Sequence, residues 1–381
     1  MKFSCNTGVL LGALQLVSRA IGSQQALPIL GNILMRAEGD TCTFSATDLE
    51  LSIITSFPAH IENEGSVTIP AKAILNFAQY NHDPEVLLQT KEGTQLTCTS
   101  HTIKAMIAGE AANDYPTITR TEKQSSLTIR VEPLLQALHL VTFAAARSTL
   151  RPVLSGVYVR SEGGTLILVA TDSYRLSEYK IPADGAVEGI SCIIPTKILE
   201  ELKVALSSNR GEKAKGAQAP PGPETVEAIL GKQQIEWQIG STSFLSRLIE
   251  GKFPDYRQIL PKESKTKIHF TTDELLTTIK RMHYFAKEVN NNLTFHSANG
   301  QTRIITPPTQ AGRDEATLQA EMTGEENKIA LSSSYLLDFL GHINTDTVTM
   351  HMTDSLHPAV FTLPGEEKFL HLVMPLRMQE E

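Results

Sequence analysis

Two aspartates stand where catalytic acids often stand. Asp48 and Asp172 each follow a β-rich run, Cys42-Thr43-Phe44-Ser45-Ala46-Thr47 and Thr165-Leu166-Ile167-Leu168-Val169-Ala170. A carboxylate at such a place can serve as a general acid or base. Aspartate is also a routine turn former, because its side chain bonds nearby backbone. The surroundings favour the turn. Ala46-Thr47-Asp48-Leu49 recurs as Ala170-Thr171-Asp172-Ser173, 124 residues on, so the two acids are copies of one turn and should lie far apart. Paired-carboxylate chemistry on Asp48 and Asp172 is therefore the weakest reading. The sequence holds no GxxxxGK[ST] loop, no HExxH and no GxSxG, and Gly156, Gly163 and Gly164 do not form GxGxxG ahead of a helix. His351 and His357 lack partner ligands at metal spacing, and no two of Cys5, Cys42, Cys98 and Cys192 lie closer than 37 residues. The expectation is a non-enzyme with no metal and no cofactor.

The elements that position these residues come from a repeat. Leu10-Leu11-Gly12-Ala13-Leu14 with Val17, Leu134-Leu135-Gln136-Ala137-Leu138 with Val141, and Leu275-Leu276-Thr277-Thr278-Ile279 with Met282 share one amphipathic helix pattern. Val67-Thr68-Ile69-Pro70-Ala71-Lys72 recurs as Cys192-Ile193-Ile194-Pro195-Thr196-Lys197, and each proline should open a helix. A third version, Lys328-Ile329-Ala330-Leu331-Ser332-Ser333-Ser334-Tyr335, offers serines as caps. Gly109…Asp114-Tyr115-Pro116 and Gly251-Lys252-Phe253-Pro254-Asp255-Tyr256 close the first two copies. The second copy is longer, and residues 207–224, rich in Gly, Pro and Lys, read as a mobile surface loop that takes up the excess. Between the helices lie Val-, Ile-, Thr- and Phe-rich strands.

The expected fold is α+β. Three tandem similar domains, 1–122, 125–261 and 262–381, each carry antiparallel sheets and two helices.

Composition sets the outer bounds. The chain has 381 residues, 41% hydrophobic and 20% charged, which excludes global disorder and collagen-like repeats. No apolar run approaches a membrane span. Lys2 and the short Val9–Leu14 run fall short of a signal peptide, so the expected location is the cytoplasm. The net charge of −8, from 34 basic and 42 acidic residues, argues against a bulk polycation but leaves room for a local basic surface.

Met1-Lys2-Phe3, Leu27-Pro28-Ile29-Leu30-Gly31-Asn32, Ala46-Thr47-Asp48-Leu49-Glu50, Thr171-Asp172-Ser173-Tyr174-Arg175-Leu176, Phe253-Pro254-Asp255-Tyr256 and Val373-Met374-Pro375-Leu376-Arg377-Met378 occur in order along the chain. Together they resemble the bacterial DNA polymerase III β subunit family, the replicative sliding clamps. The resemblance implies a head-to-tail homodimeric ring around duplex DNA, held topologically and without sequence preference. It implies helices inside and sheets outside. The ring would confer processivity on the replicative polymerase subunit and would recruit a clamp loader and other proteins bearing a clamp-binding motif. A non-DNA scaffold on the same repeats is the alternative.

Carried over by the resemblance, a partner-peptide pocket falls on Leu154, Thr171, Ser173, Tyr174, Arg175, Leu176, Pro254, Ile259, Leu356 and Val373, Met374, Pro375, Leu376, Arg377, Met378. Methionine suits such a site because it is flexible and polarizable. Arg175 and Arg377 are expected to fix the polar ends of a peptide. The bland alternative for Leu372–Met378 is a last strand in the core.

DNA-facing residues are expected at Arg19, Gln24, Lys72, Arg147, Arg151, Lys197, Lys203, Lys280 and Arg281. Taken as 7–22, 71–80, 133–147, 196–210, 273–288 and 333–342, the inner helices hold nine basic and six acidic residues. Gln24, Pro152-Val153 and Gln258 depart from the family pattern, and Gln379-Glu380-Glu381 extends past its usual end.

Overall fold

The computed structural model describes residues 1–22, 27–91, 93–148, 150–182, 189–211 and 223–378. Gln24, most of the 207–224 segment and the Gln379–Glu381 tail lie outside them. Six α-helices occur among the described residues: α1 (Thr7–Ser18), α2 (Ala71–Gln79), α3 (Val131–Val141), α4 (Thr196–Gly211), α5 (Thr272–Ala286) and α6 (Ser333–Leu340). Two fall in each copy of the repeat.

The chain forms two compact units, Met1–Val131 with Lys197–Leu248, and Glu132–Thr196 with Ile249–Glu381. Every strand pairing among the described residues of both is antiparallel. In the first unit an eight-stranded sheet runs Ser125–Arg130, Thr225–Leu230, Gln234–Ile239, Thr242–Arg247, Leu51–Pro58, Thr41–Thr47, Asn32–Glu38, Gly65–Pro70. A five-stranded sheet begins at His60–Asn63 and ends on Lys104–Ile107. In the second unit a nine-stranded sheet runs from Ser191–Pro195 through Gly156–Glu162, Thr165–Thr171 and Arg175–Pro182. It continues through Glu366–Val373, Ala359–Leu363, Thr347–Met352 and Thr266–Thr271 to Glu321–Gly324. A four-stranded sheet completes that unit. The strand register repeats the sequence offset. Leu34 pairs with Ser45, and Ser45 with Ile54; 124 residues on, Tyr158 pairs with Val169, and Val169 with Glu178.

Local chemistry explains the element ends. Asn6 caps α1, its Oδ1 accepting from the Gly8 and Val9 N–H groups at 2.9 and 3.2 Å. Pro70 stands at the N-cap of α2, and Pro195 directly precedes α4. The serines before α6 behave otherwise than the sequence suggests. Ser332 caps nothing with its side chain, and the buried Ser333 hydroxyl pairs with His283 Nδ1 at 2.8 Å. The Ser333 N–H is already satisfied by the Asn291 carbonyl at 2.7 Å, so no side-chain cap is needed there. Gly156 is required by packing, since a Cβ there would meet Ile193 Cγ2 at 2.6 Å.

Helix three ends earlier than 147. After Val141 the chain tightens into a 3₁₀ turn, Thr142–Ala144, with the Thr142 hydroxyl donating to the Leu138 carbonyl at 2.7 Å. Arg147 therefore lies beyond the helix. Within the observed bounds the six helices carry six basic and six acidic residues, not an excess of base. Arg19 and Lys287 directly follow α1 and α5, where cations meet the negative end of the helix dipole.

Candidate functional site

The turn at Thr171–Arg175 is built by its own side chains. Asp172 Oδ1 accepts from the N–H groups of Tyr174 (2.9 Å) and Arg175 (3.1 Å), and Thr171 Oγ1 donates to the Arg175 carbonyl at 2.6 Å. Ser173 takes a left-handed φ of 80°. Asp48 does the same in the first copy, with Oδ1 accepting from Glu50 and Leu51 and Leu49 at φ 78°. The two acids are turn formers, as their repetition indicated.

The second unit brings most of the expected pocket residues together. Arg175 pairs across strands with Val373, and Leu176 with Leu372. Beyond Val373 the ladder ends. Met374 N–H donates to the Tyr174 carbonyl at 2.8 Å, and Leu376 N–H to the Ala330 carbonyl at 2.8 Å. Pro375 between them has no donor, which suits a segment that leaves the sheet. Asn292 holds the Arg377 carbonyl at 3.0 Å. Pro254 and Ile259 flank Phe253 and Tyr256, which join Leu154, Leu176 and Leu372 in one buried cluster, with Met374 packed against it. Leu356 precedes Ala359, which pairs with Val373. The exposed side chains are Tyr174, Ile259, Leu356 and Met378, with Ser173, Pro254 and Arg377. Met374, Pro375 and Leu376 are half-buried.

Five expected contacts are buried. Leu154, Leu176 and Val373 are buried in the core, and Thr171 is buried with its hydroxyl donating to the Arg175 carbonyl, so these four lie beneath the exposed side chains. Arg175 does not present its charge to a ligand. It is 5% exposed, and its guanidinium donates to Asp172 Oδ2 (3.1 Å), Asp338 Oδ2 (2.5 Å) and the Phe143 carbonyl (2.7 Å). It lies over the Tyr335 ring at 5.0 Å and the Phe143 ring at 5.4 Å. Burial had to be matched by carboxylates, because an unpaired buried cation is costly.

Sequence reasoning missed Tyr335, Asp338 and Phe143. Tyr335 stacks on Tyr174 at 6.3 Å. Burial, then the nearby Asp172 carboxylate, pushes the Tyr335 phenol up. The repeat held the signal: Glu201 and Asp338 each stand sixth in their helices, α4 and α6.

Several presumed DNA-facing residues are ion-paired: Arg19 with Glu201, Lys197 with Asp48, Lys203 with Glu200 at 2.5 Å, and Arg281 with Asp314 at 2.9 Å. Lys72, Arg147 and Lys280 are exposed. Arg151 is also exposed and donates to Ser173 Oγ at 3.1 Å, which puts it beside the pocket turn. Gln258 is exposed and bonds Asp255 at 2.8 Å.

The thiols of Cys5, Cys42, Cys98 and Cys192 are pushed up to about 12 by burial. Such cysteines are inert packing groups at neutral pH.

Next to the Arg175 cluster, His371 is fully buried, its Nδ1 2.8 Å from the Ser177 hydroxyl and its ring stacked on Phe339 at 4.5 Å. Burial, then Arg175 and His342, hold its imidazole well below the ordinary 6.5. The folded state thus keeps it neutral while the unfolded chain takes up a proton below about 6.5. Stability is therefore lost as pH falls below that value, by at most about 1.4 kcal/mol per pH unit. We expect His371→Phe to flatten this acid-side slope. Urea midpoints at pH 7.0 and 5.5 would check it; an unchanged slope would exclude His371 as the source.

Comparison with known proteins covers nearly the whole chain. Residues 1–119, 128–255 and 257–377 match the N-terminal, central and C-terminal domains of the DNA polymerase III beta subunit. A beta sliding clamp of Synechocystis is 28% identical, covering 99% of this chain and 100% of that protein. One from Vibrio cholerae is also 28% identical, with the same coverage. Among solved structures, the sliding clamp of Bacillus subtilis superposes with a TM-score of 0.91 at 26% identity, covering 100% of both chains. A Pseudomonas aeruginosa clamp with a ligand gives 0.91 at 27% identity, covering 99% of this chain and 100% of that one. The fold is thus three clamp domains of antiparallel sheets with few helices. Three matching domains in order along the chain place it in the DNA polymerase III beta subunit family, the sliding clamps that serve the polymerase as non-catalytic processivity subunits.

Proposed function

We propose that two copies of this chain close head to tail into a ring that slides on duplex DNA and tethers the replicative polymerase. The observation that carries this is the full-length match to three clamp domains in register. Six similar domains in a closed dimer suit a head-to-tail contact that completes a rotation. Topological holding needs little chemical affinity. That agrees with helices whose charges balance and with exposed bases at Lys72, Arg147 and Lys280. Such bases attract phosphate without reading sequence.

Partners dock in the groove bordered by Tyr174, Ile259, Leu356 and the 374–378 segment. They are the polymerase subunit, the clamp loader and other proteins carrying a short apolar motif. A Pseudomonas aeruginosa clamp has been solved bound to griselimycin, and we take that compound as the probe for this groove. No helix among the described residues is long and apolar enough to cross a membrane. The site of action is chromosomal DNA in the cytoplasm.

The test is loading onto nicked circular DNA by a clamp loader with ATP, followed by linearisation. Retention on circles and rapid loss from linear DNA are expected. Equal retention on both would overturn topological binding.

A further inference from the structure

We propose that Asp338 is a positioning residue for partner binding. It acts through Arg175 to fix α6 against the Thr171–Arg175 turn, and so sets the aromatic wall that a bound peptide meets. The proposal rests on the groove reading above and adds a residue outside the surface a peptide would touch.

Three observations carry it. Arg175 is shared by both sides of the wall: its Nε and backbone N–H hold the turn through Asp172, while Nη1 holds α6 through Asp338 at 2.5 Å. The same guanidinium lies over Tyr335, one turn before Asp338 on α6, and Tyr335 stacks on the exposed Tyr174 of the turn. Side-chain registry between α6 and the turn therefore passes through one buried cation.

The internal repeat supplies the third observation. Glu201 occupies in α4 the place that Asp338 occupies in α6, and it too takes an arginine, Arg19. That arginine comes from elsewhere. Arg19 stands 124 residues before Phe143, and Leu51 stands 124 before Arg175. In the first unit the cation follows α1 and an apolar Leu51, 2% exposed, fills the turn position. In the second unit the cation is in the turn and an aromatic ring takes the other place. The helix acid keeps an arginine in both copies. Only where the Met374–Met378 segment adjoins does that arginine belong to the turn. This is what is expected if the pair there fixes the wall as well as the helix.

Asp338 is a fair target because it is itself only part-buried, and Asn keeps its shape. Griselimycin binding should weaken about tenfold in Asp338→Asn, within the range of couplings carried by neighbouring groups. Rescue to within about threefold is expected in Asp338→Glu, which restores the charge. Arg175→Lys, which keeps charge but loses the planar fork, should resemble Asp338→Asn. Glu227→Gln, which removes a surface ion pair with Lys123, is the control and should bind as the parent does.

Calorimetric titration with griselimycin is read beside the thermal midpoint and the solution mass of each variant. Weaker binding at an unchanged midpoint, rescued by Glu, supports the proposal. Parental affinity in Asp338→Asn, or a loss that only tracks a lowered midpoint, overturns it. Titration of Met374→Ala with Leu376→Ala separates the two readings. If that variant binds griselimycin as the parent does, the groove assignment falls first. If it does not bind while Asp338→Asn binds normally, only the positioning role falls.

Discussion

Met374→Ala combined with Leu376→Ala is expected to weaken partner binding about a hundredfold, equivalent to about 2.7 kcal/mol. The size follows from what the two side chains do. Both are half-buried, so each offers apolar surface that a ligand can finish covering. Removing most of a Leu or Met side chain forfeits roughly 1.5–3 kcal/mol when burial is complete, and burial here is partial. The backbone should hold its place, because Met374 and Leu376 are anchored by main-chain N–H groups to Tyr174 and Ala330. The loss should therefore appear as affinity rather than as unfolding. Sedimentation should still give twice 41.7 kDa. Calorimetric titration with griselimycin or with a clamp-binding-motif peptide checks the prediction, and an unchanged dissociation constant would reject the pocket.

Phe339→Ala should be the more damaging change to the fold. Phe339 is fully buried on the core side of α6, stacked on His371 at 4.5 Å and 6° and close to Phe361 and Phe369 at 5.2 and 6.3 Å. Truncating a buried phenylalanine costs about 3–5 kcal/mol, from lost transfer energy plus the cavity left behind. The cavity would open beside His371, whose Nε2 has no partner. The cost should fall on the second unit. Hydrogen exchange should accelerate in α6 and in Glu366–Val373, with the first unit's amides protected as before. Uniform acceleration through both units, or a urea midpoint that does not move, would contradict this.

The two substitutions lie in the second unit and separate its roles. α6 turns Phe339 inward and Tyr335 toward Tyr174. The 374–378 segment follows a strand whose last residue, Val373, is wholly buried. The proposed groove is therefore the frayed edge of a core, and its exposed apolar groups are held by buried ones.

Much of this was legible in the sequence because it depended on local pattern. The first helix of each copy followed from the spacing of Leu10–Val17, Leu134–Val141 and Leu275–Met282, and the second from the recurring segments at Val67–Lys72, Cys192–Lys197 and Lys328–Tyr335. The turn role of Asp48 and Asp172 followed from their repetition, since an Asp side chain bonds the backbone two and three residues on whatever surrounds it. The apolar run before Met378 marked a segment with unusual demands. The sequence could not fix where α3 stops, because the Thr142 hydroxyl and a 3₁₀ turn end it without any glycine or proline signal. The helix charge balance shifted with that boundary.

What only the tertiary structure decided is the fate of each side chain that periodicity leaves open. Arginine reads as a surface cation in any sequence. Arg175 is buried because Asp172, Asp338, the Phe143 carbonyl and the rings of Phe143 and Tyr335, contributed by three separate stretches of chain, converge on it. Burial of a charge depends on the sum of its partners, and partners distant in sequence leave no mark at the residue itself. The sequence by itself determined a threefold repeat with a clamp's motifs in order. Long-range packing determined which of those motif residues are exposed and which are buried behind them.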